Sequence, residues 1–314
     1  MVLFIDSNHP VLQQTLEKAG IRCDLNYQWT EEEIASNIHL YEGIVIRSRI
    51  KLGKELIDKG TNLKFIARAG AGMENIDIVY AESKGIRCLN SPEGNKDAVA
   101  EHAIGMTLCL FNNLCRANQQ VRKGEWIREG NRGLELMGKT VGIIGYGNMG
   151  TAFARRLKGF AVRVLAYDKY KSGFSDDSVI ESNMKTLEEE CDLISLHLPL
   201  TEETHHLVND AFFSKFKKPI FLINTARGKI VDTDALVRNL ESNKVKGACL
   251  DVLEYESGSF ENLDASKLPE AFQYLIHSEK VMLSPHIAGW TMESNVKIAS
   301  VLAAKIIACL KHPA

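Results

Sequence analysis

Three short apolar runs in this sequence each lead directly into residues able to do chemistry. Arg227 follows the run at 220–223, within Asn224-Thr225-Ala226-Arg227-Gly228. Asp251, Glu254 and Glu256 follow the run at 247–250, and His286 follows the run at 281–283, within Ser284-Pro285-His286-Ile287-Ala288-Gly289. A guanidinium presents a planar fork that matches a carboxylate. An imidazole exchanges a proton near neutral pH, and an adjacent acid favours its charged form. Taken singly, each has an ordinary structural reading: a surface arginine, a packed histidine, acids solvating a loop. Position joins them, because the carboxyl edge of a parallel sheet is where α/β proteins bind ligands. Spacing alone leaves open which acid serves the histidine.

A second constellation lies upstream. Val141-Gly142-Ile143-Ile144-Gly145-Tyr146-Gly147-Asn148-Met149-Gly150 is an apolar strand running into GxGxxG, with a helical stretch at 151–157. Gly145 permits the tight turn, Gly147 lets backbone approach a pyrophosphate, and Gly150 lets the helix pack close to the sheet. The helix start offers free N–H groups to phosphate oxygens. The next strand, 162–167, ends at Asp168, near the roughly 20-residue spacing at which an acid meets the ribose hydroxyls and disfavours a 2′-phosphate. NAD is therefore the expected cofactor, with Lys169 leaving room for some use of NADP. A dinucleotide, a proton-exchanging pair and a carboxylate clamp are the parts needed to move hydride to or from an alcohol carbon.

The elements that must hold these residues are legible as a rhythm. Strand-like runs at 2–6, 21–25, 43–47, 64–67 and 86–89 alternate with helical segments. Gly20 stops the first helix, and Thr30 with Glu33 forms a capping box at the next. One long helical segment then runs from 96 to about 120. A second series follows, with strands at 141–144, 162–167, 193–196, 220–223, 247–250 and 281–283, and a last helix at 291–310. This is α/β order, and it predicts two doubly wound parallel-sheet domains with a cleft between them. The balance of 45% hydrophobic and 25% charged residues suits a globular protein, and the formal net charge of −2 carries no block that suggests nucleic acid or a membrane surface. The start lacks the basic and apolar regions of a signal peptide. The seven cysteines include no CxxC pair, so reduced thiols in a cytoplasm are expected and a metal is not.

From Arg68 to Gly289 the chain resembles the D-2-hydroxyacid dehydrogenases, a family that includes D-3-phosphoglycerate dehydrogenases, hydroxypyruvate and glyoxylate reductases and D-lactate dehydrogenases. The resemblance rests on ARAGAGMENID, NSPEGNKDAVAEH, VGIIGYGNMG, SLHLPLTEETHHLVN, INTARGKIVDTDAL, ACLDVLEYE and SPHIAGWT, in the family's order. It implies a catalytic set of Arg227, Glu256 and His286. Glu256 is preferred to Glu254 because it stands five residues after Asp251. His286 would be the acid/base, Glu256 would favour its imidazolium form, and Arg227 would bind the substrate carboxylate and keto oxygen. Cofactor contacts would come from Gly145, Gly147, Asn148, Met149, Gly150, Asp168, Thr225, Ala226, Asp251, Ala288 and Gly289. The family usually has proline after the glutamate, where Ser257 and Gly258 stand here, and the segment from 256 to about 280 is long and polar. The resemblance also implies a discontinuous flavodoxin-like substrate domain (1–95 plus 285–314), a Rossmann cofactor domain (96–284), and a homodimer formed through the helical region after Asn95.

For the substrate, Ala71 and Gly72 match the loop that receives the carboxylate, and Asn95 matches a substrate-loop asparagine. Arg47-Ser48-Arg49-Ile50-Lys51 is similar to the Arg-Ser-x-Thr-Lys loop of phosphoglycerate dehydrogenases, where clustered cations suit a distal phosphate. That similarity favours 3-phosphoglycerate and 3-phosphohydroxypyruvate, although Glu93 stands where those enzymes often have asparagine. Hydroxypyruvate or glyoxylate reduction is the alternative, and an NAD-sensing regulatory binding protein is a third reading. Serine feedback through an appended domain is not expected.

Overall fold

The computed structural model describes residues 1–256 and 269–311. The chain divides into two compact units, residues 1–96 with 290–314, and residues 97–289.

In the first unit the order is β1 (Val2–Phe4), α1 (Pro10–Lys18), β2 (Cys23–Leu25), α2 (Glu31–Asn37), β3 (Gly43–Ile46), α3 (Lys54–Lys59), β4 (Phe65–Arg68), α4 (Ile78–Ser83) and β5 (Arg87–Leu89). The strands form one parallel sheet in the order β2-β1-β3-β4-β5. Alternate residues of each strand point to opposite faces, so Val2, Phe4 and Val45 pack with Leu12 and Leu16 of α1. Leu3, Ile5, Ile44 and Ile46 pack on the other face with Ile34, Ile38, Leu56 and Ile57. Helix α1 ends where Gly20 takes φ +78. Helix α2 begins with both bonds of the capping box, Glu33 N–H to Thr30 Oγ1 at 3.2 Å and Thr30 N–H to Glu33 Oε2 at 2.8 Å.

Chain order reverses between β1 and β3, so Asp6 and Arg47 leave adjacent strands at a topological switch point.

The expected long helix is two helices, α5 (Lys96–Phe111) and α6 (Leu114–Arg122). The break falls at Asn113, whose φ of +52 is a left-handed conformation that asparagine tolerates better than most residues.

The second unit continues with β6 (Thr140–Ile144), α7 (Asn148–Leu157), β7 (Arg163–Tyr167), β8 (Ile180–Glu181), α8 (Met184–Glu190), β9 (Leu193–Leu196), α9 (Asp210–Ser214), β10 (Ile220–Asn224), α10 (Thr233–Glu241), β11 (Val245–Leu250), α11 (Glu270–His277) and β12 (Val281–Leu283). Its seven strands are parallel, in the order β12-β11-β10-β9-β6-β7-β8. The switch point lies between β6 and β9. Two elements of this series differ from the sequence reading: β8 has only two residues, too few for an apolar pattern to show. Part of the stretch expected as polar loop is α11, which buries Ala271, Phe272 and Leu275 at helical spacing. Ser257 and Gly258 lie outside the described residues. The last helix, α12 (Met292–Lys311), belongs to the first unit and buries Leu302, Ala303 and Ile306 against Val45, Phe65 and Ala67.

Candidate active site

Strand register decides which residues of the second unit meet. Asn224 of β10 pairs with Leu250 of β11, and Leu250 pairs with Leu283 of β12. Thr225, Asp251 and Ser284 therefore leave the sheet side by side.

Asn224 shapes the first of these exits. Its side chain accepts from Ala226 N–H at 3.1 Å and donates to Arg227 O at 3.0 Å, folding the turn that presents Arg227. Arg227 Nη1 donates back to Ala226 O at 2.6 Å. Gly228 then presses on the neighbouring loop so closely that a Cβ would sit 2.0 Å from the Leu253 carbonyl carbon. The Arg227 loop is thus packed directly on the loop that carries the acids.

Among those acids the structure separates Glu256 from Glu254. Glu256 Oε2 lies 2.7 Å from His286 Nδ1, while its Oε1 accepts from Leu253 N–H at 2.5 Å. A carboxylate accepts here, so Nδ1 carries the proton. Glu254 is occupied elsewhere. Its Oε1 lies 2.6 Å from His206 Nε2, and its Oε2 accepts from Thr233 Oγ1 at 2.8 Å and Thr233 N–H at 3.2 Å. Burial pushes the Glu254 carboxyl up, but the Thr233 and His206 bonds outweigh it and hold the group below the usual range. His206 gave no sequence signal as its partner, since it is 48 residues away and one of a histidine pair.

Asp251, expected as a cofactor contact, is 1% exposed and holds the His286 loop together. Its carboxylate accepts from Ser284 Oγ at 2.6 Å, Ile287 N–H at 2.9 Å and Ala288 N–H at 2.8 Å, and its backbone carbonyl accepts from His286 N–H at 2.7 Å. Wrapped in this way, His286 adopts φ +55.

The glycine turn lies at the switch point. Gly145 has φ +94, and a Cβ there would meet His197 O at 2.4 Å; a Cβ on Gly150 would meet Gly145 O at 2.2 Å. Nothing lies within 4 Å of a Cβ on Gly147, and Gly147 offers α7 no side-chain cap. The first-turn amides of Asn148, Met149 and Gly150 are thereby left to an anion. Asp168 accepts from Tyr146 N–H at 2.8 Å, Tyr170 N–H at 2.9 Å and Lys171 N–H at 3.1 Å, which ties the end of β7 to the turn. Lys169, the cation beside it, is paired with Glu203. At the end of β10, Thr225 Oγ1 is buried without a hydrogen-bond partner in the protein. Open space over Gly147, uncapped amides, an acid after β7 and this orphaned hydroxyl together fit a bound dinucleotide.

His197, after β9, has no local sequence signal for the role its surroundings give it. Its Nε2 lies 2.9 Å from Ser195 Oγ and its ring packs on Phe153. Burial pushes its pKa down from 6.5 to about 4. The folded protein therefore holds this ring neutral where the unfolded chain would protonate it. Stability is lost as pH falls from about 6.5 toward about 4, by roughly 3 kcal/mol for this group. Urea unfolding of wild type and His197→Gln should show the variant closing this gap across that window; a difference that stays flat overturns the assignment.

In the first unit the expected cation cluster is largely committed. Arg49 Nε binds Asp6 Oδ1 at 3.1 Å, Nη1 binds Trp29 O at 2.8 Å and Nη2 binds Ile5 O at 2.6 Å. The other oxygen of Asp6 accepts from Arg47 N–H at 2.5 Å. The Arg47 guanidinium lies over Trp290, 4.9 Å from the ring centroid. Ala71 O accepts from Asn90 Nδ2 at 2.6 Å, and Ser91 N–H donates to Gly70 O at 2.9 Å, stitching the loop at Ala71 and Gly72 to the one leading to Asn95. Asn95 Oδ1 is buried and has no hydrogen-bond partner in the protein. Glu93 is held by Lys305 of α12 at 2.8 Å. The contacts of Asp6, Trp290 and Lys305 leave no local sequence signal, because each acts across a long separation.

A family model described as D-isomer specific 2-hydroxyacid dehydrogenase, NAD binding domain, matches residues 104–288. The chain belongs to this family. It is 37% identical over 276 residues to a hydroxypyruvate reductase of Thermotoga maritima, covering 88% of this chain and 87% of that protein. It is 35% identical over 303 residues to a D-3-phosphoglycerate dehydrogenase of Archaeoglobus fulgidus, covering 95% of this chain but 55% of that one, so it spans about half of that relative. A D-lactate dehydrogenase of Aquifex aeolicus, solved with NAD and lactic acid, superimposes with a TM-score of 0.83 at 30% identity, covering 99% of this chain and 96% of the other. This 2-hydroxyacid dehydrogenase is thus an NAD-dependent oxidoreductase acting on CH–OH groups. Among its described residues, no helix is long and apolar enough to cross a membrane, and no group of three or more His, Cys, Asp or Glu is placed to hold a metal.

Proposed function

We propose that the enzyme interconverts a small unphosphorylated 2-keto acid, of the glyoxylate or hydroxypyruvate kind, with its D-2-hydroxy acid. NAD(H), when bound, supplies or takes up the hydride. Arg227 holds the substrate carboxylate and keto oxygen with its planar fork. His286 delivers a proton from Nε2 to the oxygen of the keto group during reduction and removes it during oxidation. Glu256, on Nδ1, fixes the ring's tautomer and orientation. Ala71, Gly72 and Asn95 receive the remainder of the carboxylate end. The observation carrying the chemistry is the 2.7 Å Glu256–His286 contact, with Glu254 engaged elsewhere.

The substrate choice rests on the Arg47 loop. Asp6 pairs with Arg49 and accepts from Arg47 N–H, so it offsets one of the three cations (Arg47, Arg49 and Lys51) that a phosphate dianion would draw on. Burial lowers the Arg47 pKa, opposed by the Asp6 charge, and Trp290 covers one face of its guanidinium. Arg47 then serves a small hydroxyl or aldehyde-sized end. Initial rates with NADH on glyoxylate, hydroxypyruvate and phosphohydroxypyruvate should rank the phosphorylated acid at least about tenfold lower in kcat/KM. Arg47→Ala should cost each acid a similar factor, about 10-fold for a charge-assisted bond. A preference for phosphohydroxypyruvate that collapses selectively in Arg47→Ala restores the phosphate reading. No turnover on any 2-keto acid would favour a binding protein.

The finer setting is also a proposal. Leu114, Val121, Trp126, Ile127, Leu134 and Met137 are exposed apolar residues on α6 and the segment after it, Trp126 to 80%. They suit burial in a homodimer, which light scattering would register as about twice 35.0 kDa. A monomer mass would count against it. All seven cysteines are free thiols, which supports a reducing, cytoplasmic setting.

A further inference from the structure

The loop that carries His286 has a support from outside itself. His102, on α5, places Nε2 2.9 Å from Ser284 Oγ and 3.5 Å from Asp251 Oδ1. Proton bookkeeping gives this contact a direction. Asp251 as a carboxylate only accepts, so Ser284 spends its one hydroxyl hydrogen on Asp251 Oδ1, at 2.6 Å. Ser284 Oγ must then accept from His102, which places a hydrogen on Nε2 of that ring. The chain of donors runs His102 to Ser284 to Asp251, and Asp251 in turn gathers the N–H groups of His286, Ile287 and Ala288.

The backbone at His286 makes this support consequential. A non-glycine residue at φ +55 costs roughly 1–2 kcal/mol, and such strain persists only where surrounding bonds over-determine it. The bonds that do so converge on Asp251, and α5 reaches them through two side chains, His102 by its ring nitrogen and Met106 by its Sδ, 3.6 Å from Ser284 Oγ. We propose that His102 is a positioning residue for catalysis, acting through Ser284 and Asp251 to hold the His286 loop in its strained, working conformation. This inference rests on His286 as the proton-exchanging group.

A loop loosened by a few tenths of an ångström loses productive alignment without losing its substrate clamp, because Arg227 leaves a different strand. His102→Leu should therefore lower kcat for ketoacid reduction about five- to tenfold, the scale of one neutral hydrogen bond, with the KM for the keto acid within about twofold. His102→Gln, whose amide N–H can reach the position of Nε2–H, should recover most of the loss. Ser284→Ala should match His102→Leu, and the double variant should be no worse than either single one, as expected of links in one chain. Unchanged kcat in His102→Leu, failure of glutamine to rescue, or additive losses in the double variant would each reduce His102 to a packing role. If the leucine variant does not fold, the Gln and Ser284→Ala comparisons still decide. Wild-type turnover in His286→Ala would instead remove the reading beneath the inference, so the two failures are distinguishable.

Discussion

His286→Ala is expected to lower kcat for ketoacid reduction by about two to four orders of magnitude, the range that a positioned general acid contributes. Three of the other histidines are engaged elsewhere. His206 is bound to Glu254, His102 donates into the Asp251 network, and burial holds the His197 ring neutral under the glycine turn. The replacement leaves the rest of the site standing, since the loop is held by backbone bonds from residues 286, 287 and 288 to Asp251. His286→Asn is the companion variant, because asparagine tolerates the left-handed backbone at φ +55. Both variants should bind NADH as wild type does, read by nicotinamide fluorescence, while single-turnover reduction collapses. Turnover within about tenfold of wild type in both would show that the proton comes from elsewhere.

Much of this arrangement can be read from the chain before any coordinates, and the reasons differ by element. The strands that carry the site are short runs of Val, Ile and Leu flanked by glycine or polar residues, so both the sheet and its ligand edge follow from pattern. The glycine turn is legible because each glycine answers a steric demand, two against close backbone and one beside open space. The helix break at Asn113 is not legible from periodicity, since α5 and α6 meet with no glycine or proline between them; the Asn112-Asn113 pair was the available sign. The committed state of Arg49 depends on Asp6, 43 residues away, and on two backbone carbonyls, so its sequence context still resembles a phosphate loop. The same limit applies to the bonds that Asp251 makes to the His286 loop, whose partners lie more than 30 residues away. Local pattern reports the elements; long-range bonds determine which polar residues remain available to a substrate.

Glu256→Gln tests the pairing that distinguishes the two glutamates. Glutamine keeps the length and can still accept the Nδ1 hydrogen through its amide oxygen, so the ring stays aimed while the charge is lost. The bond at 2.7 Å is charge-assisted, worth about 1.5–3 kcal/mol, and the lost charge is felt most once the ring carries its extra proton. Reduction requires that protonated ring, so kcat for the keto acid should fall about 10- to 100-fold, with substrate KM changed far less because Arg227 is untouched. Glu254→Gln should behave differently. It disturbs the His206 and Thr233 contacts that anchor the start of α10, so its cost should appear as lower thermal stability with kcat within about threefold of wild type. Steady-state kinetics and thermal melts on the two variants separate these outcomes. The reverse result, with Glu254→Gln losing turnover and Glu256→Gln keeping it, would transfer the proton-pairing role to Glu254 and require the loop after β11 to rearrange when substrate binds.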